Sequence, residues 1–195
     1  MWRRIRRLHC PKGLSGCCWC MLVLGSLVAC GTAPARPFTT RALLLTRADL
    51  PAGWEGGTPF TPSDPCSRTR DCAAVFFNSP ATPYKVDMSQ YVVRYENAQQ
   101  AAARFVDAHR IPPRDATIPA LTLPPVAAAQ QHLVCYPAET RTSCSWTAQY
   151  EEYVIELIVD VIPDAGPGQM TLEQLAALIA RVDRRITDAL RQPTS

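Results

Sequence analysis

Lysine is nearly absent from this chain, with 2 residues against 18 arginines, and histidine is scarce, with 3. Beyond residue 30 the only histidines are His109 and His132, and neither sits in a recognisable motif. There is no Gly-x-Ser-x-Gly elbow, no His-Glu-x-x-His, no phosphate-binding glycine loop and no dinucleotide fingerprint. Nucleophilic hydrolysis, zinc proteolysis and nucleotide chemistry therefore have no motif to rest on. Self-similarity at a fixed period is missing too, which argues against a repeat architecture. The one adjacent carboxylate pair, Glu151-Glu152, falls between two strand candidates, where it reads as a solvated turn.

What is present begins with a basic and then apolar N-terminus. Arg3, Arg4, Arg6, Arg7 and Lys12 precede the uncharged run Gly13–Ala29, centred on Met21-Leu22-Val23-Leu24. That run lies at the short edge of what spans a bilayer, and the order basic, apolar, small is that of a secretory signal peptide. The stretch Leu27-Val28-Ala29-Cys30 resembles the lipobox of bacterial lipoproteins. The resemblance implies cleavage before Cys30 and a diacylglyceryl group on its sulfur. Residues 1–29 are then a signal peptide, 30–40 a lipidated tether, and 41–195 a single extracytoplasmic domain. Leu14-Ser15-Gly16-Cys17 fits the same pattern but has no apolar segment before it. The arginine pairs leave the export route open between the general and twin-arginine systems.

Without residues 1–29 the chain holds 15 basic and 17 acidic residues, a net charge of −2. A near-neutral domain has no electrostatic footprint for nucleic acid, and by net charge it has no basic patch for an anionic membrane. Membrane contact is expected through the lipid on Cys30 alone, with no cofactor and no metal. Four cysteines remain after Cys30, namely Cys66, Cys72, Cys135 and Cys144, and an even number in an exported chain reads as two disulfides. Three pairings are possible. Cys66–Cys72 and Cys135–Cys144 are favoured because each encloses a short, polar, turn-like segment. A four-cysteine metal site lacks both Cys-x-x-Cys spacing and a nearby histidine.

Thr46 with Asp49 marks a short helical turn over 46–50, and Trp54 to Phe60, broken by Gly56, Gly57 and Pro59, is at best a bent edge strand. Between Cys66 and Cys72, Arg68 and Arg70 could grip an anion or simply solvate a small loop. Strands are expected over 73–78, 85–95, 132–136, 143–150 and 153–161. The last carries Tyr153, Ile155, Leu157, Val159 and Val161 on one face. In 85–95, Tyr91, Val93 and Tyr95 face one way, and Gln90, Val92 and Arg94 the other. Asn97 with Gln100 caps a helix through residue 109, with Ala98, Ala101, Ala102, Phe105 and Val106 on its apolar side. Thr171 with Gln174 caps a longer one carrying Leu172, Leu175, Leu178, Ile179, Val182, Ile186 and Leu190. Five prolines between Ile111 and Pro125 exclude regular helix there and make that loop a place to look for a partner.

Strands in hairpin succession with two amphipathic helices predict an α+β domain: an antiparallel sheet of about five or six strands with two main helices packed on one face. The opposite face would then present Arg94, Thr147, Gln149, Glu156 and Asp160, mixed with Val92 and Ile158, as a binding platform. Cys144-Ser145-Trp146, the valine- and isoleucine-rich strand, the glycine-proline turn and the last helix resemble the extracytoplasmic sensor-like domains of actinobacterial lipoproteins and of PknH-type receptor kinases. That resemblance implies two disulfides and a helix-packed antiparallel sheet forming a ligand cleft. The expectation is a lipid-anchored, non-enzymatic domain for an unknown envelope ligand or protein. The alternatives are a small envelope hydrolase using a carboxylate and His132, and a structural or assembly lipoprotein.

Overall fold

The computed structural model describes residues 35–63, 66, 69, 71–80, 87–108, 123–137, 141–162 and 168–193. The leader, Cys30, Arg68, Arg70, His109, the loop 111–122 and the turn 163–167 lie outside the described residues.

Strands β1 (Glu55–Gly56), β2 (Asp71–Asn78), β3 (Met88–Arg94), β4 (Gln130–Pro137), β5 (Thr142–Tyr150) and β6 (Tyr153–Val161) form one sheet in the order β1-β2-β3-β6-β5-β4. Every pairing is antiparallel. Helix α1 (Ala98–Ala108) and helix α2 (Leu172–Leu190) complete the fold, with short 3-10 turns at Thr40–Leu43 and Arg47–Asp49. The α+β architecture and the six-stranded antiparallel sheet are thus present. β6, the most apolar strand, lies inside the sheet between β3 and β5, and its residues alternate strictly between buried and half-buried. β1 is a two-residue edge strand. Gly56 sits there at φ 98°, and a Cβ on it would approach the Phe76 carbonyl oxygen to 2.5 Å, so only glycine fits.

The main core lies between α2 and the sheet face carrying Val75, Val92, Trp146, Ile155 and Leu157, with Leu175, Leu178, Ile179, Val182 and Ile186 supplying the helix side. Each large aliphatic buried in this way contributes roughly 1.5–3 kcal/mol. The capping box at the start of α2 is formed: Thr171 Oγ1 accepts from Gln174 N, and Gln174 Oε1 accepts from Thr171 N.

The two helices do not share a face. Ala101 of α1 clusters with Cys72, Val93, Tyr95 and Val154, which strand alternation places on the side opposite Val92 and Ile155. The stripe of α1 is also narrower than expected, since Ala101 and Phe105 are buried while Val106 is 50% exposed. Both short disulfides, Cys66–Cys72 and Cys135–Cys144, are present. Cys135 and Cys144 are direct cross-strand partners of β4 and β5. Among the described residues no helix is long and apolar enough to cross a membrane.

Candidate functional site

The sheet face away from α2 is built by register. His132 of β4 pairs with Thr147 of β5, Thr147 with Glu156 of β6, and Glu156 with Tyr91 of β3, so four polar side chains form a row across four strands. The adjoining row runs Val134, Ser145, Ile158, Ser89. Ser145 Oγ lies 3.4 Å from Glu156 Oε1, tying the two rows together. Burial raises the Tyr91 hydroxyl above its ordinary range, the Glu156 charge adds to this, and a bond with Ser89 works against it.

Of the residues expected on this face, Thr147, Gln149, Glu156 and Asp160 share it. Thr147 and Gln149 are buried rather than displayed. Gln149 Nε2 donates to the Glu151 carbonyl at 2.7 Å, and Gln149 Oε1 accepts from Gln130 Nε2 at 3.3 Å, so Gln149 serves the hairpin. Asp160 lies 3.0 Å from Arg141. Burial raises its carboxyl above the usual range, Arg141 and Ser143 oppose the shift, and Asp87 reinforces it.

Arg94 and Val92 are not on this face. Both point to the α2 side, with Gln90. The alternation of β3 was read correctly, but its polar-looking set is the one turned inward. The reason is that the core supplies partners for the polar groups. Gln90 is fully buried, accepting from Leu45 N at 2.6 Å and donating to the Leu43 carbonyl. Arg94 Nη2 lies 3.2 Å from Glu152 Oε1, and its guanidinium carbon sits 5.6 Å from the Tyr153 ring centre. Val92 is fully buried in the main core.

Sequence reasoning missed a charge cluster at the β5–β6 hairpin. Glu151 is exposed, as a turn residue should be, with φ 46°. Glu152 is not solvated: its side chain is 3% exposed and accepts a fork from Arg36, Nε to Oε1 at 2.9 Å and Nη2 to Oε2 at 2.9 Å. Arg36 also bonds Glu151. Burial alone would raise the Glu152 carboxyl, but Arg36 and Arg94 outweigh it and hold the group below the usual carboxylate range. Two residues on, Phe38 stacks on Tyr153 at 6.0 Å, and Thr40 is buried. The segment 30–40, expected to be a tether, is therefore docked from Arg36 onward. Its composition gave no such signal, because the acids that hold it lie more than a hundred residues later.

No family model, curated protein or solved structure matches this chain.

Cavities of 240, 470 and 390 Å³ lie along α2, and none of the three is lined by a residue of the polar rows. The polar face offers side-chain functional groups in register. Among the described residues, no group of three or more His, Cys, Asp or Glu side chains could hold a metal ion.

Proposed function

We propose that this chain is a lipid-anchored, extracytoplasmic binding domain with no chemistry of its own, held to the membrane by acylation of Cys30 and engaging an envelope ligand or protein through the sheet face away from α2. The observation that carries the anchor is Leu27-Val28-Ala29-Cys30 standing six residues ahead of Arg36, where the chain is gripped by Glu152. The polar row His132, Thr147, Glu156, Tyr91 supports the choice of face. Intact-mass measurement on the native product tests the anchor: a chain beginning at residue 30 with acyl mass on its cysteine is expected, and an intact N-terminus overturns it. For the face, envelope extracts are passed over the purified protein. Saturable capture that Glu156→Ala and Tyr91→Ala abolish is expected, and capture that both leave intact moves the site elsewhere.

A second reading is favoured by the same row. His132 and Glu156 flank Thr147, two strands and hence about 10 Å apart, a spacing at which an acid and a base could act on opposite sides of a bound bond. An envelope hydrolysis activity that survives both His132→Ala and Glu156→Gln would remove that reading.

A further inference from the structure

We infer that the arginine-lined hollow beside α2 takes the phosphate of an anionic phospholipid headgroup, so that the domain lies against the membrane to which the chain is anchored. This rests on the lipid-anchor reading for the side of the membrane involved. The hollow has a volume of about 470 Å³ and collects Arg181, Arg184 and Arg185 from α2 together with Phe38 from the docked N-terminal segment. Two carboxylates also line it, Asp49 and Asp188. Asp49 is already engaged: Arg185 Nη2 contacts both its oxygens at 2.9 and 3.0 Å, and Thr46 donates to it through N and Oγ1. Asp188 is two-thirds exposed and lies 3.9 Å from Arg191. Among the described residues, Arg181 donates to the Asp49 backbone carbonyl, at 2.6 Å. Among the described residues Arg181 and Arg184, both exposed, make no ion pair, and with Arg185 they leave the lining of the hollow with one more cation than its two carboxylates.

Position joins charge in selecting the occupant. Phe38 is eight residues from Cys30 and Arg36 is six, and six residues reach at most about 20 Å even when fully extended. Once Arg36 is clamped to Glu152, the hollow cannot lie far from the headgroups on which the acyl group is seated. Exposed charges interact over a Debye length of about 8 Å at physiological salt, so a domain on so short a leash samples that range continually. A phosphodiester suits the guanidinium fork, which matches phosphate geometry with paired donors. The overall charge of −2 beyond residue 29 does not display this, because it sums over the whole chain rather than over the few side chains that meet in the hollow.

The test uses the processed chain from residue 30, with Cys30→Ser so that no acyl group contributes. It is floated with vesicles of phosphatidylcholine and with vesicles of phosphatidylcholine and phosphatidylglycerol in equal parts. Preferential binding to the anionic vesicles is expected. The Arg181→Glu/Arg184→Glu double variant should lower it at least about tenfold, since one arginine near such a surface is worth on the order of fivefold. Arg181→Gln/Arg184→Gln should fall between. Arg104→Glu, an exposed change of the same sign on α1, should keep most of the preference. No preference for anionic vesicles, or an equal loss in Arg104→Glu, overturns the site. Release from the vesicles by millimolar inorganic phosphate at constant ionic strength makes it a free-anion site and overturns the membrane assignment. Acyl mass on native Cys30 is read separately. Its absence removes the anchor while a vesicle preference stands, and loss of the preference with Cys30 acylated removes the hollow while the anchor stands.

Discussion

Glu152 is the residue on which one end of the molecule depends, because it is a single carboxylate facing two guanidinia. Arg36 is 5% exposed and Arg94 10% exposed in their side chains. Removing Glu152 takes from Arg36 its buried partner and leaves it the exposed Glu151, and it also removes the 3.2 Å contact to Arg94; breaking a buried pair costs about 3–5 kcal/mol. Glu152→Ala is accordingly expected to lower Tm by roughly 10 °C in a calorimetric scan, and Arg36→Ala to lower it less, because Glu152 then keeps Arg94. Because the folded protein holds this carboxyl below its ordinary value of 4.5, its stabilisation is present above that pH and is lost as pH falls towards the depressed value. Asp49 acts in the same sense, since Thr46 and Arg185 outweigh its burial. Asp160, raised chiefly by burial, acts in the opposite sense. Tm measured against pH should therefore fall less steeply below about 4.5 in Glu152→Gln than in the parent. In Asp160→Asn it should fall more steeply. A slope unchanged in Glu152→Gln would mean the pair is not what couples the fold to acid.

At the scale of elements, β3 shows how a strand can carry polar residues inward at low cost. Gln90 satisfies the backbone at the end of the Thr40–Leu43 turn, and so fixes that turn against the sheet. Gln90→Ala would leave the Leu45 N–H buried without its acceptor, and a loss of about 1–3 kcal/mol is expected from chemical denaturation. Helix α2 is held at its start by the Thr171 cap and along its length by the core. Thr171→Ala is expected to cost about 1 kcal/mol, and Thr171→Ser to restore most of it. Asp183 adds a lateral tie, accepting from Tyr150 OH and from Ala127 N, both at 2.8 Å. The chain leaving the proline-rich loop is thereby pinned to the helix. These elements were legible beforehand because each announces itself locally: the period-two run of β6, the Thr171–Gln174 box and the glycines of β1. The facing of β3 was not, because both of its faces mix polar with apolar residues and periodicity cannot choose between them. A shift of one residue in facing exchanges every side chain.

Across the whole molecule, helices on opposite faces leave the sheet covered unequally. α2 covers one side, while α1 buries Ala101 and Phe105 on the other, leaving Glu156, Tyr91 and Ser145 half-buried. The Cys135–Cys144 bridge joins edge strand β4 to β5 at directly opposed positions. Cys135→Ala/Cys144→Ala is expected to lower stability by about 2–4 kcal/mol and to show first as faster amide exchange in β4. Uniform loosening of the sheet would contradict this.

The sequence by itself determined the main strands and helices and the antiparallel α+β class, and it favoured the two short disulfides among three pairings, because capping, alternation and loop closure are properties of neighbouring residues. It also carries the lipobox pattern at Cys30, which the anchor proposal rests on. The tertiary structure alone decided which face of β3 turns inward, that α1 and α2 take opposite sides, that Arg36 reaches Glu152 across 116 positions, and that Arg181 and Arg184 meet Phe38 in one hollow. Each of these depends on partners distant in the chain, and a side chain's cost or benefit is set by what the fold brings next to it.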